Sequence, residues 1–94
     1  ANLIDANIED TNLQEASLAG VDLTKAYLEA TDLTGANLTM ANLTGAFLER
    51  TNLENADLTD AVLIDAKLNW VKNLNTAILC RTTMPDATVN NSGC

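Results

Sequence analysis

Catalysis in a small domain draws on histidine, on clustered cysteines or on paired carboxylates, and this chain supplies them unevenly. Its 94 residues include no histidine, and serine occurs only at Ser17 and Ser92. Ser–His and Cys–His nucleophilic arrangements are therefore absent. Gly20, Gly35 and Gly45 are isolated, so no glycine-rich loop exists to cradle a phosphate. Carboxylates are abundant, and Glu9, Glu29 and Glu49 recur at an interval of twenty residues. If the fold stacks them, their oxygens could offer a weak site to a hard cation such as calcium. The plainer reading is a row of like charges tolerated because water and salt screen it. Tyr27 and Phe47 share the same interval, and Arg50 and Trp70 lie close by in sequence. Aromatic residues and arginine are the types that anchor protein contacts, although stacked rings can also serve only to join neighbouring segments. Cys80 and Cys94 are the only cysteines. They could form a disulfide, remain two free thiols or supply half of a metal site, but nothing else here completes a tetrahedral zinc centre. Two cysteines pinning a tail favour the disulfide in an oxidising compartment. Such a bridge closes a loop of about 15 residues, worth about 3 kcal/mol in the chain-entropy account.

The element that must position these residues is a repeat. Fourteen consecutive pentapeptides over residues 1–70 carry leucine or isoleucine at the centre, from Leu3 and Ile8 to Leu63 and Leu68. Two positions earlier stands a small residue, alanine at ten of the fourteen sites and otherwise Thr11, Val21, Thr31 and Thr51. A helix would scatter a period of five around its surface, and a straight strand would alternate it between faces. The leucines share one interior only if the chain turns once per repeat. Thr11, Thr31 and Thr51 recur every twenty residues, which sets four pentapeptides per coil and predicts an all-β, square-section solenoid. Asn and Asp before many of the leucines suit its corners, because their side chains bond nearby backbone.

Units such as Ala-Asn-Leu-Thr-Gly at 41–45 and Ala-Asp-Leu-Thr-Asp at 56–60 resemble those of the pentapeptide-repeat family. The resemblance spans about three quarters of the chain. It implies a right-handed quadrilateral β-helix, a handedness that spacing alone does not supply. The stretch from Cys80 through Met84-Pro85-Asp86 to Cys94 is similar to the tail of small cyanobacterial members with a C-terminal cysteine pair. Ala87 departs from that pattern, standing where glycine is expected after Pro-Asp. The likeness points to a thylakoid lumen or periplasm; free cysteines would instead place the chain in the cytoplasm.

One domain is expected: a β-helix over 1–70, then a looser final coil and C-terminal cap over 71–94. The repeat breaks at residues 71–76, where six residues stand in place of five, and repeat-like spacing returns with Ala77/Leu79, Thr82/Met84 and Ala87/Val89. The N-terminal coil, from Ala1 and Leu3, has no matching cap and is a candidate for an end-to-end homodimer. Charge is −8 in total. Residues 1–65 hold twelve acids against Lys25 and Arg50, a net −10, whereas 66–94 hold Lys67, Lys72 and Arg81 against Asp86, a net +2. An acidic column argues against nucleic-acid binding, and no apolar stretch has the length of a membrane span. No cofactor is implied.

These readings converge on a non-catalytic structural or protein-interaction module, extracytoplasmic, with an unknown protein as partner. Its expected contact residues are Tyr27, Phe47, Arg50 and Trp70 on one side of the column. The family resemblance supplies an alternative, a DNA mimic that binds a topoisomerase such as gyrase. The acidic charge has the sign for such mimicry, but about four coils is short for a DNA-binding groove. A regular array of outward threonines, as an ice-binding surface would need, is not present, since Thr24, Thr34, Thr39, Thr44 and Thr59 fall on several faces.

Overall fold

The computed structural model describes residues 2–94, so Ala1, expected at the edge of the first coil, lies outside the described residues. The chain winds into a β-helix of 30 × 25 × 21 Å. Extended single residues pair in parallel between successive coils in four ladders: Asn2–Asp22–Asn42–Val62, Asn7–Tyr27–Phe47–Lys67, Asn12–Asp32–Asn52–Lys72 and Ser17–Asn37–Asp57–Ile78. Partners stand twenty residues apart up to Lys72, the interval expected from the threonines. Backbone bonds run between coils at each pairing. The Leu3 N–H donates to the Asp22 carbonyl at 2.8 Å, and the Tyr27 N–H donates to the Ala6 carbonyl at 2.8 Å.

Turns between these pairings explain the period of five. Every fifth residue from Asp5 to Trp70 has a positive φ, between 57° and 71°, and most corners close by a bond such as Ala26 N–H to the Leu23 carbonyl at 3.0 Å. Only Gly20, Gly35 and Gly45 meet this left-handed geometry with glycine, and Asp or Asn tolerates it at five others. The residue two before the corner's first turn position bonds the turn directly. Asp22 Oδ1, for example, accepts from the Thr24 N–H at 3.1 Å and from Thr24 Oγ1 at 2.6 Å. The same arrangement at Thr34, Thr39, Thr44 and Thr59 occupies the outward threonine hydroxyls.

Inside the coils, Leu23, Leu28, Leu33, Leu38, Leu43, Leu48, Leu53, Leu58 and Leu63 are fully enclosed, with alanines closing the space near the corners. Burial of each leucine contributes about 1.5–3 kcal/mol. Thr31 and Thr51 are buried as well. Thr31 Oγ1 donates to the Ile8 carbonyl and Thr51 Oγ1 to the Leu28 carbonyl, each at 2.6 Å. These hydroxyls thus satisfy backbone one coil back, which is why threonine can replace alanine in an apolar interior. Leu3, Ile8, Leu13 and Leu18 of the first coil pack against this core but are only half-buried.

The extra residue in 71–76 is taken up by a 3-10 turn, Leu74–Thr76, entered through Asn73 at φ 60°. Beyond it the pairings resume as Asp57 with Ile78 and Val62 with Thr83, an interval one residue longer. Strand β1 (Thr82–Thr83) then pairs antiparallel with β2 (Val89–Asn90), Thr82 opposite Asn90 and Thr83 opposite Val89. Spacing alone reads Ala87/Val89 as one more inward unit, yet both residues are exposed. The chain reverses after Pro85-Asp86 instead of continuing around the coil, with the Met84 N–H donating to the Thr88 carbonyl at 2.7 Å. Ala87, the residue expected to be glycine, has φ 70°.

Candidate functional site

The second ladder carries the most differentiated side chains because its register puts positions 7, 27, 47 and 67 directly over one another. Tyr27 and Phe47 consequently stack, ring centroids 4.7 Å apart and planes 4° from parallel. Such a pair adds about 0.5–1.5 kcal/mol beyond its burial, so it stabilises the coils while leaving Tyr27 41% exposed. Trp70 stands at the corner column that also holds Asp10, Ala30 and Arg50, and it is 71% exposed. Among the described residues it makes no aromatic contact with the Tyr27–Phe47 pair. The four expected contact residues therefore form two groups, a ring stack on the ladder and an arginine–tryptophan pair of positions at the corner.

Arg50 is partly occupied. Its Nη2 lies 3.9 Å from Glu29 Oε2, an exposed and loose pair. In the column of Glu9, Glu29 and Glu49, the first two meet. Hydrogen bonding of the protonated Glu9 carboxyl to the Glu29 carboxylate holds Glu9 above its usual range, with desolvation and the Glu29 charge adding to the effect. Arg50, loosely paired with Glu29, offsets part of the like-charge repulsion. Among the described residues no group of three or more His, Cys, Asp or Glu side chains could hold a metal ion.

On the other side of the same ladder the surface is hollow. A cavity of about 440 Å³ is lined by Asp5, Lys25, Tyr27, Thr44, Gly45, Phe47, Asp65 and Lys67. Sequence reasoning missed it. The available signal was the corner column Asp5–Lys25–Gly45–Asp65, where glycine interrupts three charged residues. A Cβ at Gly45 would stand 3.3 Å from Lys25 Cγ, so the missing side chain is what lets the lysine stem lie across the corner. The Lys67 ammonium donates to the Asp65 carbonyl at 3.1 Å.

At the C-terminal end Cys80 and Cys94 form a disulfide, Cα atoms 4.9 Å apart. Cys80 is buried and Cys94 exposed. Beside it the Gly93 N–H donates to the Leu79 carbonyl at 2.8 Å, and a Cβ on Gly93 would come within 2.8 Å of the Leu79 nitrogen. Arg81 grips Asp60 with two bonds, Nε to Oδ1 at 2.8 Å and Nη2 to Oδ2 at 3.2 Å. That grip holds the Asp60 carboxyl below its usual range and raises Arg81. Threonine hydroxyls and N–H groups lower Asp22 and Asp86 likewise, and Thr34 with Gln14 lowers Asp32.

No described helix is long and apolar enough to cross a membrane. The family model for pentapeptide repeats matches residues 1–39 and 36–72 in eight copies. Among solved structures, a pentapeptide repeat protein from Nostoc PCC 7120 is 38% identical with a TM-score of 0.79, over 82% of this chain and 63% of its own. HetL, a pentapeptide repeat protein involved in heterocyst differentiation regulation in Nostoc sp. strain PCC 7120, is 28% identical with a TM-score of 0.68, over 96% of this chain and 52% of its own. The chain thus spans less than two thirds of the length of both. A pentapeptide repeat protein from the Arabidopsis thaliana thylakoid lumen, 23% identical over 89% of this chain and 65% of its own, has a TM-score of 0.54 and shares the fold. A comparison with curated protein sequences finds no match.

Proposed function

The chain belongs to the pentapeptide-repeat family, and on that premise we propose that it is a rigid, non-catalytic protein-interaction module. The column is a right-handed quadrilateral β-helix in this reading, and residues 71–94 are its final coil and C-terminal cap. The observation that carries the proposal is the half-exposed Tyr27–Phe47 stack with the exposed Trp70 at the corner column that follows; Ile4, Met40, Ile78 and Val89 are exposed elsewhere, but all three aromatic residues of the chain lie on this side. Aromatic residues fixed in this way lose little entropy on docking, and Arg50 adds a donor fork at the rim. A regulatory role of the kind named for HetL is compatible with such a module.

The test is affinity capture with the intact chain, its Trp70→Ala and Tyr27→Ala variants, and Thr39→Ala, in the turn after Asn37 of the Ser17–Asn37–Asp57 ladder, as a control. Proteins retained by wild type and Thr39→Ala but lost by both aromatic variants would support the face. Equal retention by all four would remove it. The Cys80–Cys94 bridge supports an oxidising location, the thylakoid lumen or periplasm. Leu3, Ile8, Leu13 and Leu18 are half-buried, an edge that a second copy stacked end to end would cover; sedimentation at high concentration showing only monomer would deny that stacking.

The DNA-mimic alternative draws on the net −10 of residues 1–65. Its weakness is length, since 30 Å corresponds to about nine base-pair steps. A gyrase supercoiling assay unaffected by excess protein would dispose of it.

A further inference from the structure

The cavity beside the Tyr27–Phe47 stack has a composition unlike the rest of the surface, and we infer that it binds a zwitterionic amino acid with an aromatic side chain. Three observations lead there. Its volume, about 440 Å³, falls within the range of small-molecule sites, about 300–1,000 Å³. Its wall is a pair of rings already fixed by mutual stacking, so an aromatic ligand meets them with no ordering cost in the protein. Its charges are balanced in a chain that is otherwise strongly acidic.

That balance selects the ligand. The chain has three lysines, and two of them, Lys25 and Lys67, line this one cavity. Both arginines are turned to carboxylates elsewhere, Arg50 to Glu29 and Arg81 to Asp60. Lys25 and Lys67 enter from the coils on either side of Gly45, each about 5 Å away along the axis, and Asp65 enters with Lys67. A purely anionic ligand is repelled by the overall charge of −8. A purely cationic one can pair with Asp5 or Asp65 but leaves Lys25 and Lys67 unpaired and repelling it at close range. A zwitterion feels little of the long-range field, places its carboxylate between the lysines and turns its ammonium to Asp65. Gly45 leaves the room for that carboxylate, because a side chain there would compete with the Lys25 stem.

The inference stands apart from the protein-contact reading, since it needs no partner and is tested on the purified chain. The probes are L-phenylalanine, phenethylamine and 3-phenylpropionate, titrated while following the Tyr27 ring and Gly45 amide resonances by NMR. L-phenylalanine is expected to bind about tenfold more tightly than either singly charged analogue, as loss of one charge-assisted contact implies. Lys25→Met, which keeps the stem, and Asp65→Asn, which keeps the shape, should each bring L-phenylalanine down to the level of the analogues. Equal binding of the three probes, no shift with any of them, or unchanged L-phenylalanine binding in both variants would overturn the assignment.

Discussion

The column and the tail solve the same problem by different means. From Val21 to Ala66 the coils repeat one solution: leucine inward, a small residue near the corner, Asn or Asp bonding most of the turns, and a parallel pairing every twenty residues. Each coil there is held by the coil on either side, as in other stacked repeats. Residues 71–94 lose that periodicity and substitute individual devices. A 3-10 turn takes up the extra residue, a two-residue hairpin reverses the chain, Arg81 binds Asp60 and a disulfide ties the end. Regular packing spreads stability over many equivalent contacts; irregular packing concentrates it in a few.

The largest expected effect of a single substitution nevertheless comes from the middle of the column, where a truncated leucine leaves a cavity enclosed on both sides. Leu43→Ala removes a fully enclosed side chain and should cost about 3–4 kcal/mol in denaturant unfolding, whereas Leu13→Ala in the half-buried first coil should cost roughly half as much. Equal costs would mean that coil position does not matter. Next is the clasp. Cys94→Ser should lower stability by about 3 kcal/mol, with the loss confined to the tail if the column stands by itself.

Smaller gains should come from the strained corners. Ala30 in the column and Ala87 in the tail both hold positive φ, 57° and 70°, and neither has a side chain that eases it. Ala30→Gly and Ala87→Gly should each stabilise by about 1 kcal/mol, read as a raised denaturation midpoint. The smallest effect is that of pH. Asp22 and Asp32 in the column, Asp60 at the junction and Asp86 in the tail have folded-state pKa values below their ordinary 3.8. Each contributes stability above pH 3.8 that is lost as the pH falls through its lowered folded value. Glu9 acts in the opposite sense. Raised above 4.5, it opposes folding at neutral pH and ceases to do so as it protonates, so Glu9→Gln should slightly raise stability at pH 7 and leave it unchanged in acid.

Most of the column was legible because its determinants are local and repeated. Thr11, Thr31 and Thr51 give the coil length directly, and once that is known Tyr27 must lie over Phe47. The corner role of Asp22 and Asn37 follows from what their side chains can reach. The tail was less legible, since Ala87 and Val89 keep the repeat's spacing while the Pro85-Asp86 turn sends them outward. Long-range charge pairing was also hidden: nothing local joins Arg50 to Glu29 or Arg81 to Asp60. The cavity was hidden for a different reason. It depends on the absence of a side chain at Gly45 and on charges from three other coils, and only alignment of the corner column brings them together.

Native-state hydrogen exchange with the disulfide intact and then reduced tests the difference between column and tail most directly. The account predicts that the Leu43 and Phe47 amides, bonded between coils, keep their protection after reduction. The Met84 and Gly93 amides, bonded within the tail and to Leu79, should lose most of theirs. Loss of protection in both regions together would contradict it, because the column would then depend on the clasp that its repeats were argued to make unnecessary.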